Sequence, residues 1–319
     1  MNKTLITGIT GFAGSYLAEY LVSTGQYDVS GTYLFDDSLV NVDKIKNKLN
    51  LIKADLSSEK KVFNIVKETS PQIIFHLAAL TSTADSFRIP AETLTNNISL
   101  QVNLFEAVRK YNLLDTKILI VSSADIYGLV SKENLPIDEQ TPLTPTNPYS
   151  VSKIAQDFLG LTYFLSYKLK AIRVRPFNHI GPRQSPQFVV SSFAKQIAEI
   201  EKGKREPILR VGNLGTKRDF TNVKDIVYAY TLAIEKGKDG EVYNIGTGIS
   251  YKISDILDKL ISFSSSKIGI EEEKALFRPT DNPDLVCNAN KFKKLTGWKP
   301  KISIDTTLKD TLDYWRHII

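Results

Sequence analysis

A tyrosine and a lysine four residues apart, Tyr149 and Lys153, form the pair in this chain best suited to proton transfer. The run Tyr149-Ser150-Val151-Ser152-Lys153 follows Pro148, and proline is favoured at the first position of a helix. Residues i and i+4 share a helix face, so the phenol and the ammonium are expected side by side. A free tyrosine, with a pKa of about 10, is a poor proton-transfer group at neutral pH. A nearby ammonium stabilises the phenolate and brings that pKa toward the working range. The spacing alone is common, so it acquires meaning only from its companions. Upstream, Lys117–Val121 reads as a strand that ends in Ser122-Ser123-Ala124-Asp125-Ile126-Tyr127-Gly128. The end of a parallel strand is where side chains reach a ligand crevice.

A second kind of chemistry opens the chain. The strand-like Thr4–Thr7 runs into Gly8-Ile9-Thr10-Gly11-Phe12-Ala13-Gly14 and then into a helical pattern. Glycines allow positive φ and let a backbone approach a diphosphate closely. The helix that follows would offer free N–H groups and the positive end of its dipole to the phosphates. Gly8, Gly11, Phe12 and Gly14 are therefore candidate cofactor contacts.

Such groups need a scaffold, and the first half of the chain supplies one. Thr4–Thr7, Asp28–Tyr33, Leu51–Lys53, Ile73–His76, Lys117–Val121 and Ala171–Arg175 read as strands alternating with helical patterns. This predicts an α/β fold: a Rossmann-type, doubly wound parallel sheet covered on both faces. After Pro176 the pattern loosens into helices near Phe188–Lys202, Val223–Glu235, Ser254–Ser262 and Ile304–His317, with short strands at Ile208–Val211 and Val242–Ile245. The expected division is a dinucleotide-binding domain over 1–175 plus about 221–246, and a smaller mixed α/β lobe over about 176–220 plus 247–319.

Composition narrows the classes. A length of 319 residues suits about two domains at roughly 150 residues each. No apolar run approaches the ~18 residues of a membrane span. Met1 passes almost at once into the glycine turn, so no signal peptide is expected. One cysteine, Cys287, excludes an internal disulfide, and His76, His179 and His317 lack metal-ligand spacing. No metal is expected. The net charge of +6 suits an anionic small molecule, and its lysines are scattered over predicted helix surfaces. Neither nucleic acid nor membrane is an expected partner, and the cytoplasm is the expected location.

The glycine spacing G-x-x-G-x-x-G, followed in order by Ser123, Tyr149 and Lys153, resembles the extended short-chain dehydrogenase/reductase family over essentially the whole chain. The resemblance implies a serine, Ser123, hydrogen-bonded to the substrate oxygen beside the Tyr149–Lys153 pair, with Tyr149 and Lys153 also contacting the cofactor and Lys153 holding its ribose. It makes Asp55-Leu56 similar to the pair that holds adenine, and His76-Leu77-Ala78-Ala79 similar to the segment behind the nicotinamide ribose. Asn97 resembles an asparagine that braces the active-site strand. Arg175-Pro176-Phe177-Asn178-His179-Ile180-Gly181-Pro182 looks like the segment entering the substrate lobe, with Asn178 a candidate sugar-diphosphate contact. Arg218 and Arg278 stand where nucleotide-sugar enzymes clamp a pyrophosphate, a task that suits the guanidinium's planar fork. The family also implies a homodimer built on the helices near Asn97–Tyr111 and Tyr149–Tyr167.

Within the family, Arg175–Ile226, with Phe193–Ile197 and Val211-Gly212-Asn213-Leu214, looks most like GDP-4-keto-6-deoxy-mannose reductases. Val211 thereby joins the substrate candidates. The resemblance implies NAD(P)H-dependent reduction of the C4 ketone of a GDP-4-keto-6-deoxy-hexose. Its opening residues also resemble GDP-mannose 4,6-dehydratases, which need an extra acid/base two residues after the catalytic Ser/Thr. That position holds Asp125, one methylene shorter than the usual Glu, so simple reduction is preferred. A 4,6-dehydratase is the first alternative and a 4-epimerase the second; a non-catalytic dinucleotide sensor would be expected to lack Tyr149 or Lys153. For the cofactor, an acidic residue ending the second strand favours NAD and an arginine there favours NADP. Thr32-Tyr33-Leu34-Phe35-Asp36 offers Asp36 late and no arginine nearby, so NAD or NADP fits, with a lean to NAD.

Overall fold

The computed structural model describes residues 1–277 and 282–319. It opens with β1 (Asn2–Thr7), α1 (Phe12–Thr24) and β2 (Tyr27–Tyr33). A 3₁₀ stretch over Asp36–Lys48 leads to β3 (Asn50–Lys53), α2 (Glu59–Thr69) and β4 (Ile73–His76). Next come α3 (Thr83–Arg88), α4 (Pro90–Lys110), β5 (Lys117–Val121), α5 (Pro148–Tyr167) and β6 (Lys170–Pro176). The chain then leaves this unit through β7 (Asn178–Ile180), α6 (Val189–Glu201), β8 (Ile208–Val211) and β9 (Lys217–Asn222). It returns with α7 (Val223–Lys236) and β10 (Val242–Ile245). The last elements are β11 (Ser250–Lys252), α8 (Ile253–Ser262), β12 (Gly269–Glu272), β13 (Asp284–Leu285), α9 (Asn290–Thr296) and α10 (Ile304–Ile318).

Seven parallel strands form the main sheet, in the order β10-β6-β5-β4-β1-β2-β3. The winding direction reverses between β1 and β4, which opens a crevice beyond the carboxyl ends of those strands. Thr7 and His76 are register partners there, so the glycine turn and Leu77–Ala79 leave the sheet side by side. Alternate side chains along each strand face opposite ways. Ile6, Phe75 and Leu119 pack under α1 and α7 with Leu17 and Ile226. Leu5, Ile74, Ile118 and Ile120 pack on the other face with Ile65 of α2 and Phe105 of α4. Burial on both faces explains why these strands read as continuous apolar runs.

The smaller unit joins β7, β9, β11 and β13 in one mixed sheet and β8 with β12 in a pair. Its core is built by α6, α8 and α10 through Phe193, Ile197, Leu257, Leu308 and Leu312. Residues 290–298, read from the sequence as part of the smaller lobe, pack Phe292 and Trp298 on the cluster beneath the large sheet. The Trp298 indole donates to the Asp225 carbonyl at 3.1 Å, and the Asp225 carboxylate accepts from the N–H groups of Lys301 (3.0 Å) and Ile302 (2.9 Å). These bonds tie the Gly297–Pro300 turn to α7. Among the described residues no helix is long and apolar enough to cross a membrane.

Candidate active site

The glycine turn has room for a ligand backbone contact and for little else. Gly8 adopts φ +71°, and a Cβ on it would stand 3.1 Å from the Ala78 backbone. A Cβ on Gly14 would lie 2.2 Å from the Gly8 carbonyl oxygen, so the first turn of α1 can pack here only on glycine. Gly11 caps α1 without a side-chain hydrogen bond, and the first turn carries no acidic residue. The first N–H groups of α1 are thus left to an anion from outside the helix. This donor set and the side-chain-free cradle fit a dinucleotide diphosphate. Phe12 stacks on His179 with centroids 5.8 Å apart and planes 4° from parallel, which links the turn to β7. The N–H groups of Leu77 and Ala78 both donate to the Thr7 hydroxyl at 3.1 Å, and this holds Leu77–Ala79 beside Gly8.

The adenosine end is less as expected. Asp55 is exposed just after β3, and its carboxylate accepts from the Ser57 N–H at 2.9 Å, which lowers its pKa. Leu56 is buried in the core. Asp36 does not stand as an unopposed carboxylate: it forms an ion pair with Lys53, the last residue of β3. The sequence around Asp36 suggested no local cation, but the cation comes from the neighbouring strand, where Lys53 is the register partner of Tyr33. A carboxylate already paired is a weaker acceptor for ribose hydroxyls, and the lysine adds positive charge beside the end of β2.

The proton-transfer group assembles from three elements. Asn147 caps α5 by accepting from the Ser150 N–H at 2.8 Å, and Pro148 starts the helix. Tyr149 and Lys153 then project from one face, both nearly buried, with Nζ 6.0 Å from the phenol ring centroid. Lys153 Nζ donates to the Val121 carbonyl and to Gln156 Oε1, each at 2.8 Å. Burial draws the ammonium down to about 7, against these two bonds, which favour the charged form. Ser123 caps the 3₁₀ turn Ala124–Tyr127, and its Oγ accepts from the Asp125 N–H at 3.1 Å. Burial and then the nearby Asp125 charge raise the Tyr149 pKa, while a hydrogen bond with Ser123 works the other way. Asp125 in turn accepts from the Thr83 hydroxyl at 3.2 Å. Ser123, Asp125, Tyr149 and Lys153 thus meet at the carboxyl end of β5. His76 is buried behind them, and burial followed by the Lys153 charge lowers its pKa to about 3. It is neutral in the working range.

The substrate candidates are more dispersed. Asn178 is half-buried at the start of β7, opposite Phe220 of β9. The Val211 side chain is fully buried in the core of the smaller unit, so the strand exposes no Val211 side chain to a ligand. Arg218 is nearly buried, and its Nη1 donates to the carbonyls of Lys217 and Asn282 at 2.7 Å. It braces β9 against the chain entering β13, at a position where the family resemblance implied a pyrophosphate clamp. Arg278 lies outside the described residues. Arg175, which opens the Arg175–Pro182 segment, pairs with buried Asp157 and donates to the Tyr127 hydroxyl at 2.9 Å.

Four residues of this region escaped the sequence reading: Lys53, Thr83, Gln156 and Asp157. Gln156 and Asp157 carry a signal that could have found them, since they lie three and four residues after Lys153 on the same helix face. Lys53 and Thr83 carry none, because they reach the site only through strand register and loop packing.

A parallel dinucleotide-type sheet with a glycine turn after β1 and a gathered serine, tyrosine and lysine after β5 defines a nicotinamide-dependent oxidoreductase of the extended short-chain dehydrogenase/reductase class. The chain belongs to the GDP-mannose 4,6 dehydratase family, whose model matches residues 5–311. It is 31% identical over 314 residues to GDP-6-deoxy-D-mannose reductase of Pseudomonas aeruginosa, covering 98% of this chain and 97% of that one. It is also 31% identical over 327 residues to GDP-mannose 4,6 dehydratase 1 of Arabidopsis thaliana, covering 97% and 88%. Among solved structures it resembles RMD from Pseudomonas aeruginosa complexed with NADPH, with TM-score 0.86, 30% identity and 100% of both chains covered.

Proposed function

We propose that this protein reduces the C4 ketone of a GDP-4-keto-6-deoxy-hexose to give a GDP-6-deoxy-mannose-type sugar, with NADPH preferred over NADH. The observation that carries this reading is the convergence of Ser123, Tyr149 and Lys153 beside the glycine turn. Similarity along the full length to a GDP-6-deoxy-D-mannose reductase supports the substrate class. In this reading the dinucleotide occupies the lobe of residues 1–175 and 221–246, and the sugar diphosphate lies against residues 176–220 and 247–319. Asn178, Arg218 and Arg278 remain the proposed contacts on the sugar-diphosphate side, with Val211 contributing backbone only.

Reduced nicotinamide, when bound, supplies the hydride that C4 receives. Tyr149 gives its hydroxyl proton to the carbonyl oxygen as negative charge develops there. Burial and the Asp125 charge raise its pKa, against the lowering expected from the sequence, so the proton moves only because the developing alkoxide is more basic still. Ser123 Oγ accepts from the Asp125 N–H and hydrogen-bonds the Tyr149 phenol, and with the ketone seated between them its O–H turns from the phenol to the same substrate oxygen. Lys153 stabilises the phenolate that Tyr149 becomes. The chain's main contribution is to hold these groups in one geometry.

The test is a paired assay. NADPH consumption with the 4-keto-6-deoxy sugar, and no change in GDP-mannose incubated without reductant, is the expected result. Keto-sugar formed from GDP-mannose would instead establish the 4,6-dehydratase, the second reading, which the carboxylate of Asp125 beside Tyr149 favours. The variant Asp125→Asn separates the two: a reductase keeps reduction within about tenfold, whereas loss of an essential acid/base costs ~10²–10⁴-fold.

Cofactor preference is testable at Lys53. Lys53→Glu is expected to raise KM for NADPH by about tenfold and leave KM for NADH nearly unchanged, as loss of one charge-assisted phosphate contact would. Equal changes for both dinucleotides would remove Lys53 from that role.

We infer that the enzyme works in the cytoplasm as a homodimer. Val151, Phe158 and Leu165 stand 43%, 47% and 58% exposed at seven-residue intervals on α5, an apolar stripe suited to a symmetry mate.

A further inference from the structure

We propose that Gln156 is a positioning residue for Lys153, holding the ammonium charged and with one donor left for the catalytic centre. This rests on reading Tyr149 and Lys153 as the proton-transfer pair. An ammonium has three donors and no acceptor. Two donors are taken, by the Val121 carbonyl and by Gln156 Oε1, each at 2.8 Å. Among the described residues, Gln156 supplies the one side-chain acceptor that Lys153 Nζ reaches.

The orientation of the Gln156 amide follows from its neighbours. Its Nε2 donates to the Asn97 carbonyl at 2.9 Å. Turning the amide over would set an NH₂ against the ammonium and an oxygen against that carbonyl, two repulsive contacts. The residue is braced at its backbone as well, where the Gln156 carbonyl accepts from Gln101 Nε2 at 2.7 Å. Asn97, the next link, donates to the Leu80 carbonyl at 3.0 Å and to Ser152 Oγ at 2.9 Å, and accepts from the Leu80 N–H at 2.8 Å. Gln156, Asn97 and Gln101 are all buried. The α4–α5 contact thus becomes a rigid mount for one oxygen atom aimed at Lys153.

The surroundings explain why the mount matters. The titratable groups facing the pair are Tyr149 on α5, His76 from β4, Asp125 from the serine turn and Tyr230 from α7, whose pKa Tyr149 perturbs. Neutral His76 gives Lys153 no counter-charge, and Asp125 lies on the Tyr149 side. Asp157, next in sequence, is committed to Arg173 and Arg175. Without Gln156 Oε1 the buried ammonium would keep a single protein acceptor and would lose its proton at lower pH. A neutral amine no longer stabilises the phenolate.

Two variants decide the matter, Gln156→Met and Gln156→Glu. Lys153 titration is followed by NMR of ¹³Cε-lysine protein, its signal identified by its loss in Lys153→Met. The midpoint is expected to fall by about one pH unit in the Met variant and to rise by a similar amount in the Glu variant. The alkaline limb of keto-sugar reduction should move the same way in each. Unchanged midpoints, with activity lost equally at every pH, would mean that Gln156 only packs and would overturn the proposal. If the Met variant fails to fold, the Glu variant decides alone, and no upward shift rejects the idea. Wild-type protein inert toward the keto-sugar would sink the proposed function, yet the NMR titration would still judge Gln156.

Discussion

Replacing Tyr149 by Phe is expected to lower the turnover of keto-sugar reduction by about 10²–10⁴-fold, the usual contribution of a positioned acid or base. The phenol ring sits in a nearly closed niche, so Phe keeps the packing and removes one oxygen. NADPH affinity should stay close to wild type, because the diphosphate cradle of Gly8, Gly11 and Gly14 is untouched. Steady-state kinetics with a separate fluorescence titration of NADPH distinguish the two effects. A variant retaining more than a tenth of the wild-type rate would remove Tyr149 from proton transfer. A pH profile belongs to the same experiment. Reduction needs Lys153 charged, and burial draws that group to about 7, so the rate should hold below neutrality and fall as pH rises through it. Bound cofactor that adds an acceptor for the third Lys153 donor would move this limb upward, never downward.

The second large effect concerns stability. Asp157 is fully buried between two arginines, with Arg173 Nη1 at 2.6 Å and Arg175 Nε at 2.8 Å. Asp157→Asn keeps the volume and leaves two guanidinium groups without a counter-ion. Breaking a buried pair in this way costs about 3–5 kcal/mol, much of the reserve of an ordinary domain. The damage should extend to the site, because Arg175 also donates to the Tyr127 hydroxyl within the turn that carries Ser123 and Asp125. Urea unfolding is expected to show the loss, with a matching fall in activity near the transition. A change below about 1 kcal/mol would show that the two arginines find other partners.

Much of the dinucleotide half was legible from residue order. Apolar runs of four and five residues between helical patterns marked the strands Ile73–His76 and Lys117–Val121 with the observed ends. The glycine turn was legible because close backbone approach forbids any side chain, and sequence records that directly as glycine. The Tyr149–Lys153 pairing was legible because helix geometry is periodic and Pro148 announces the start. The smaller unit was harder. Strands β7, β11 and β13 have two or three residues each, too few for an alternation to register, and they exist because β9 and its neighbours offer them edges.

The sequence by itself determined the α/β class, the phosphate-binding turn, the Ser123–Tyr149–Lys153 group and the likeness to nucleotide-sugar enzymes. The class, the turn and the Tyr149–Lys153 pair rest on local chemistry or on spacing within one element, whereas Ser123's place beside them and the nucleotide-sugar likeness rest on the order of motifs along the whole chain, which resembles a known family. Only the tertiary structure decided that Lys53 pairs with Asp36, that the Val211 side chain lies in the core of the smaller unit, that Arg218 donates to the Asn282 carbonyl, and that the Asn97 carbonyl holds the Gln156 amide whose oxygen Lys153 reaches. Apart from the Gln156–Lys153 bond, which lies within α5, these contacts join residues from different elements, at distances set by strand register or helix packing. A charge or an amide in a sequence states what it can bond to, and only the fold states which partner stands within reach.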